Sequence, residues 1–133
     1  MTHPLAASAL VGIGGFAGSI SRYGLSILFR GSSFEWPFGT ISANILGCFI
    51  IGMVSAVSER TEILTPAARL FLATGFCGGF TTMSSMVYES MQMYRSGEYF
   101  HGSLYVTATV VGSMLAFIAG AVVIRLLVMS AGE

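Results

Sequence analysis

Few groups in this chain can donate, accept or carry charge inside its long apolar runs, and those few recur at helical spacing. Asn44 lies midway along the run Phe38–Ser58. Thr40, Asn44, Cys48 and Gly52 fall at i+4 intervals, which stack on one face of a helix. An amide there can bond a neighbouring helix, or present its NH₂ group to an anion as an uncharged donor. Tyr105, Thr109 and Ser113 repeat the same interval. Such hydroxyls can bond back to their own helix or line a cavity as a ladder for a hydrogen-bonding ion. The segment Gly75-Phe76-Cys77-Gly78-Gly79-Phe80-Thr81-Thr82 sets three glycines and two threonines in the middle of an apolar run. Glycine weakens a helix by about 1 kcal/mol relative to alanine, so a break near the membrane midplane is expected here. Carbonyls freed at that depth are hard oxygen ligands for a small cation. Met83-Ser84-Ser85-Met86 follows, with two methionines one turn apart, ordinarily core filler. Arg22 interrupts the first run about two turns before its end and can snorkel to the nearer interface. Glu89 is the carboxylate that falls inside a run. No Ser/His/Asp grouping, paired acid or phosphate loop is present, so an enzyme is not expected. Cys48 and Cys77 show no ligand spacing with either histidine and read as small buried residues.

The elements that position these groups follow from composition. The chain has 133 residues, 54% hydrophobic and 9% charged, with a mean hydropathy of +0.80. A soluble domain carries about 25% charge; six arginines and six glutamates cannot coat one of this size. Disorder needs the opposite composition. An integral membrane protein remains. Zero net charge gives no long-range pull on nucleic acid. About 20 helical residues cross a bilayer, and residues 1–133 form one domain of four such spans: Pro4–Phe29, Phe38–Ser58, Ala67–Tyr94 and Gly102–Met129. The polar turns between them hold Arg30–Pro37, Glu59–Glu62 and Arg95–Glu98. The first run lacks a basic leader and a small-residue cleavage site, and is expected to be a span.

Arginine placement normally orients such a protein. Arg60, Arg69 and Arg125 fall on one side, and Arg22, Arg30 and Arg95 on the other, so neither orientation is favoured. A balanced distribution is what a dual-topology protein needs, one that inserts both ways up and pairs head to tail. Gly14 and Gly18 form a GxxxG, and Gly112, Ala116 and Gly120 a small-residue ladder, the spacing of closely packed helices with a partner subunit.

Three motifs in order resemble the Fluc fluoride-channel family, also called CrcB, over essentially the whole chain. They are Gly14-Gly15-Phe16-Ala17-Gly18-Ser19-Ile20-Ser21-Arg22-Tyr23, Gly39-Thr40-Ile41-Ser42-Ala43-Asn44-Ile45-Leu46-Gly47, and the Gly75–Thr82 segment, the most specific of the three. The resemblance implies an all-α membrane protein with the third of its four helices broken, forming an antiparallel dual-topology homodimer in the cell inner membrane. It implies a passive fluoride-selective channel that lets fluoride leave the cytoplasm and relieves its toxicity. A structural sodium ion at the dimer centre would be held by the backbone carbonyls of Gly78 and Thr81. Two fluoride pathways would be lined by Asn44, Phe80, Met83, Ser84, Ser85 and Met86 and by the track Tyr105, Thr109, Ser113, with Arg22 in a structural or vestibule role. Methionines stand at Met83 and Met86, where the family typically has phenylalanines. Ring edges carry the positive part of the aromatic quadrupole; a methionine offers a polarisable thioether instead.

Two rivals remain at this level. A small dual-topology proton-coupled drug exporter would need a carboxylate inside the bundle, for which Glu89 is the candidate. A structural subunit of a larger membrane complex would not purify as a lone stable dimer. The arginine balance generates a first prediction: a cysteine placed at Ser33 in the native membrane reacts with impermeant reagent from both sides. Labelling from one side alone contradicts dual topology.

Overall fold

The computed structural model describes residues 3–30, 36–60 and 63–130. The turn residues Gly31, Ser32, Ser33, Glu35, Thr61 and Glu62 lie outside the described residues. The fold is all-helical, with four helices long and apolar enough to cross a membrane: Pro4–Leu28, Phe38–Glu59, Pro66–Arg95 and Tyr99–Ser130. The first is α1, Pro4–Leu28, with Pro4 in its first turn, where a missing N–H does no harm. The second is α2, Phe38–Arg60, which starts directly after Pro37. The third opens as α3, Pro66–Arg69, whose cap Thr65 accepts the Ala68 N–H at 3.1 Å. It continues as a π-helical segment, Leu70–Cys77, then α4, Gly78–Phe80, and α5, Met83–Arg95. Gly97, at φ 84°, then turns the chain. The Glu98 N–H reaches back to the Met93 carbonyl at 2.9 Å, a Schellman closure that only glycine permits without strain. The fourth helix, α6, is Tyr99–Ser130.

The expected spans match these helices to within about a turn. The third departs from expectation in detail. Gly75, Gly78 and Gly79 all sit in helical segments. The residues that leave the helix are Thr81 (φ −83°, ψ 155°) and Thr82 (φ −152°, ψ 119°). β-branched side chains tolerate extended backbone well, whereas the glycines here serve close packing.

That packing is backbone against backbone. α1 lies along the π-helical segment and α4, while α2 packs on α6 and α5 on α6. A Cβ at Gly18 would collide with the Phe76 carbonyl oxygen, and one at Gly120 with the Phe49 carbonyl oxygen. The glycine motifs therefore join helices within one chain. The outward faces stay apolar and open; Phe16 is 70% and Met114 63% exposed, as lipid or a second subunit requires. Aromatic groups gather at one end of the bundle, where Tyr94 stacks on Tyr99 at 6.2 Å and Trp36 meets His101 edge-on at 6.4 Å, the composition of a membrane-interface belt.

Gly12 on the same helix has nothing within 4 Å of its would-be Cβ. Gly18→Ala should therefore destabilise by about 1–3 kcal/mol, while Gly12→Ala should be neutral or mildly stabilising. Thermal unfolding of the two variants in detergent checks this; equal midpoints would show that α1 is not held by the Gly18 contact.

Candidate functional site

The site is built around the gap at Thr81–Thr82. The Thr81 N–H donates to the Cys77 carbonyl at 2.9 Å. The next helical bond would run from the Thr82 N–H to the Gly78 carbonyl. Instead the Thr82 N–H donates to Oδ1 of Asn44 at 2.7 Å, and Nδ2 of Asn44 donates to the Thr82 carbonyl at 3.1 Å. One side-chain amide on α2 thus pairs with both backbone groups of one residue. The Thr82 hydroxyl accepts the Ser85 N–H at 3.2 Å and caps the start of α5. It also lies 3.2 Å from the hydroxyls of both Ser84 and Ser85.

Arg22 belongs to the same repair of the backbone. Its Nε donates to the Gly79 carbonyl at 3.2 Å, joined by the Ser19 hydroxyl at 3.4 Å. A continuous helix would have used the Met83 N–H for that carbonyl. Arg22 therefore reaches inward to α4 rather than extending only toward an interface. Gly47 makes room on α2, since a Cβ there would strike the Thr81 methyl group.

Beside the gap runs a groove of about 330 Å³, bordered by Asn44, Cys48, Thr81, Thr82, Met83, Met86, Thr109, Val110, Ser113 and Met114. None of these residues carries a formal charge, the border is mostly apolar, and two of its hydroxyls are engaged, Thr81 donating to the Cys77 carbonyl at 2.9 Å and Thr109 to the Tyr105 carbonyl at 2.8 Å. Of the residues singled out from sequence, the groove gathers Asn44, Thr81, Met83, Met86, Thr109 and Ser113. Phe80, Ser84, Ser85 and Tyr105 do not border it. Phe80 is buried and stacked on Phe76 at 5.5 Å. Gly78 is exposed, with open space around its Cα. The two methionines differ sharply: Met86 is 6% exposed and Met83 74%. Met83 is the first residue of α5, whereas Met86, one turn on, is buried in the helix and borders the groove with Thr109 and Val110 of α6.

The hydroxyl track meets Glu89, the carboxylate inside the third run. Glu89 accepts the Tyr105 hydroxyl at 2.5 Å on Oε2 and the Thr40 hydroxyl at 2.9 Å on Oε1. Tyr105 is fully buried, and Thr109 donates back to the Tyr105 carbonyl at 2.8 Å. Thr40, Glu89 and Tyr105 sit on three different helices, so no single-helix period joins them. The only hint was that Thr40 shares the Asn44 face. Among the described residues no three His, Cys, Asp or Glu side chains form a metal cluster. Gly78 lies in α4 and Thr81 at its end, and the Thr82 N–H that a continuous helix would give to the Gly78 carbonyl goes to Asn44 instead.

Comparison with known proteins agrees with this architecture. The family described as CrcB-like protein, Camphor Resistance (CrcB), matches residues 9–121. The chain is similar to a protein of Chlorobium luteolum named fluoride-specific ion channel FluC, 47% identical over 120 residues, which cover 90% of this chain and 92% of that one. The protein of that name from Prosthecochloris aestuarii is 43% identical over 125 residues, 94% and 98% of the two chains. Its namesake from Leptospira interrogans is 43% identical over 117 residues, 87% and 92%. Four apolar helices, an uncharged groove beside the gap at Thr81–Thr82 and a family match over residues 9–121 make this chain a multi-pass membrane protein belonging to the CrcB family.

Proposed function

We propose that this chain is a passive fluoride channel, not an enzyme, and that it works as an antiparallel dual-topology homodimer with two fluoride pathways. The observation that carries the reading is the 47% identity, across nine-tenths of the chain, to a protein named for fluoride-specific conduction. The groove supports it chemically. Fluoride is small and strongly hydrated, so its path must replace water with other hydrogen-bond donors. Asn44 and Ser113 border the groove and can be such donors; Ser84 and Ser85 lie outside that border, against the Thr82 hydroxyl, and none of the four fixes a positive charge that would trap the ion. Tyr105 and Thr109 can serve only by releasing Glu89 and the Tyr105 carbonyl. Met83 and Met86 supply apolar wall, whereas Phe80 packs outside the groove against Phe76. Both oxygens of Glu89 accept hydroxyl protons, which gives the exporter reading a carboxylate but one already engaged.

The family resemblance also implies sodium at the dimer centre, and the residues present fit it. The Gly78 and Thr81 carbonyls are neutral hard oxygens, and two subunits would bring four. The ion would neutralise the facing carbonyl dipoles and tie the two third helices together.

Asn44→Asp should lower fluoride efflux from liposomes by about tenfold or more, because an ionised carboxylate repels the anion and only accepts hydrogen bonds. The dimer should survive, since the carboxylate still accepts the Thr82 N–H. Flux within about twofold of wild type would make Asn44 a packing residue alone.

The methionine pair yields a separate test. Met86→Phe changes the group facing the groove with little loss of apolar volume and should alter flux. Met83→Ala should change transport more than stability, given its exposure, whereas a core methionine cut to alanine costs about 2–5 kcal/mol. Efflux and thermal stability measured on the same variants decide it. Unchanged flux with a large drop in stability would make both side chains structural.

A further inference from the structure

We infer that Asn44 is the positioning residue that holds the third helix interrupted, acting through the backbone of Thr82. An asparagine amide offers one acceptor oxygen and two N–H donors. Here the oxygen takes the Thr82 N–H at 2.7 Å and one donor meets the Thr82 carbonyl at 3.1 Å. The reversed amide would set donor against donor and acceptor against acceptor, so the pairing fixes its orientation. Asn44 is 8% exposed, leaving little water to replace either bond.

The consequences lie on both sides of the gap. Toward the N-terminus, capture of the Thr82 N–H removes the donor a continuous helix would give to the Gly78 carbonyl, which leaves that oxygen for a cation. Toward the C-terminus, Thr82 fixed on α2 sets the origin of α5, because its hydroxyl caps the Ser85 N–H. The placement of Met83 and Met86 against the groove follows from that origin. The second donor of the Asn44 amide is left for the groove it borders. Asparagine thus combines three functions that aspartate, leucine or serine cannot reproduce together. The link to the anion path and to the cation rests on the channel reading above; the backbone role does not.

The test is residue-resolved amide hydrogen exchange at Thr82 in the full-length protein in detergent, alongside fluoride efflux from liposomes. In Asn44→Leu, the Thr82 amide should exchange at least about tenfold faster than in wild type, or its Cα shift should move to helical values as the bond returns to Gly78. In Asn44→Asp, which keeps the acceptor for the Thr82 N–H but sets oxygen against the Thr82 carbonyl, its exchange should rise by less than in Asn44→Leu while efflux falls. Unchanged exchange and shift at Thr82 in Asn44→Leu, with efflux lost, would mean that Asn44 touches only the anion and would overturn the proposal. If Asn44→Leu does not fold, the wild type alone decides. A through-hydrogen-bond coupling from the Thr82 nitrogen to Cγ of Asn44 supports the pairing. Its absence, where helical couplings are resolved, refutes it. Wild type without fluoride efflux but with the Thr82 pattern intact would remove the channel reading and leave the backbone role standing.

Discussion

A peptide group inside a bilayer has no water to turn to, and each one left unpaired costs several kcal/mol. The paired hydrogen bonds between the Asn44 side chain and the Thr82 backbone meet that constraint at the one place in the third span where the chain leaves the helix. Arg22 and Ser19 meet it for the Gly79 carbonyl. A helix can stop and restart in this bundle only because α1 and α2 bring polar side chains to the loose ends. The polar residues that looked anomalous in apolar runs are, in this light, substitutes for missing helical bonds.

Those side chains reach the gap because the helices approach so closely. Gly18 sits against the Phe76 carbonyl, and Gly47 leaves space for the Thr81 methyl. Short Ser19 and Asn44 side chains would not span a helix pair separated by larger residues. Close packing and backbone repair are one design: glycine brings the helices together, and the polar residues one position or three positions away use the proximity.

The sequence made the four spans legible because bilayer thickness fixes their length and hydropathy marks their extent. The glycine spacing announced close packing, and the charge balance left orientation open. Other features depended on tertiary contacts that periodicity cannot encode. Within the Gly75–Thr82 segment the glycines stay helical and the extended residues are Thr81 and Thr82, where Asn44 pairs with the backbone. The π-helical winding of Leu70–Cys77 carries no hydropathy signal. No spacing ties Glu89 to its partners Thr40 and Tyr105, which come from two other helices. Met83 and Met86 are one turn apart, but one begins a helix and the other lies within it, so their exposures diverge.

A groove without formal charge offers an anion nothing that would trap it electrostatically. The most direct measurement is anion release from liposomes holding purified wild-type protein, with membrane potential set by a potassium ionophore and no proton gradient. Channel function predicts rapid fluoride release under these conditions and negligible chloride release. Release that requires a proton gradient, or that proceeds equally for chloride, would contradict it.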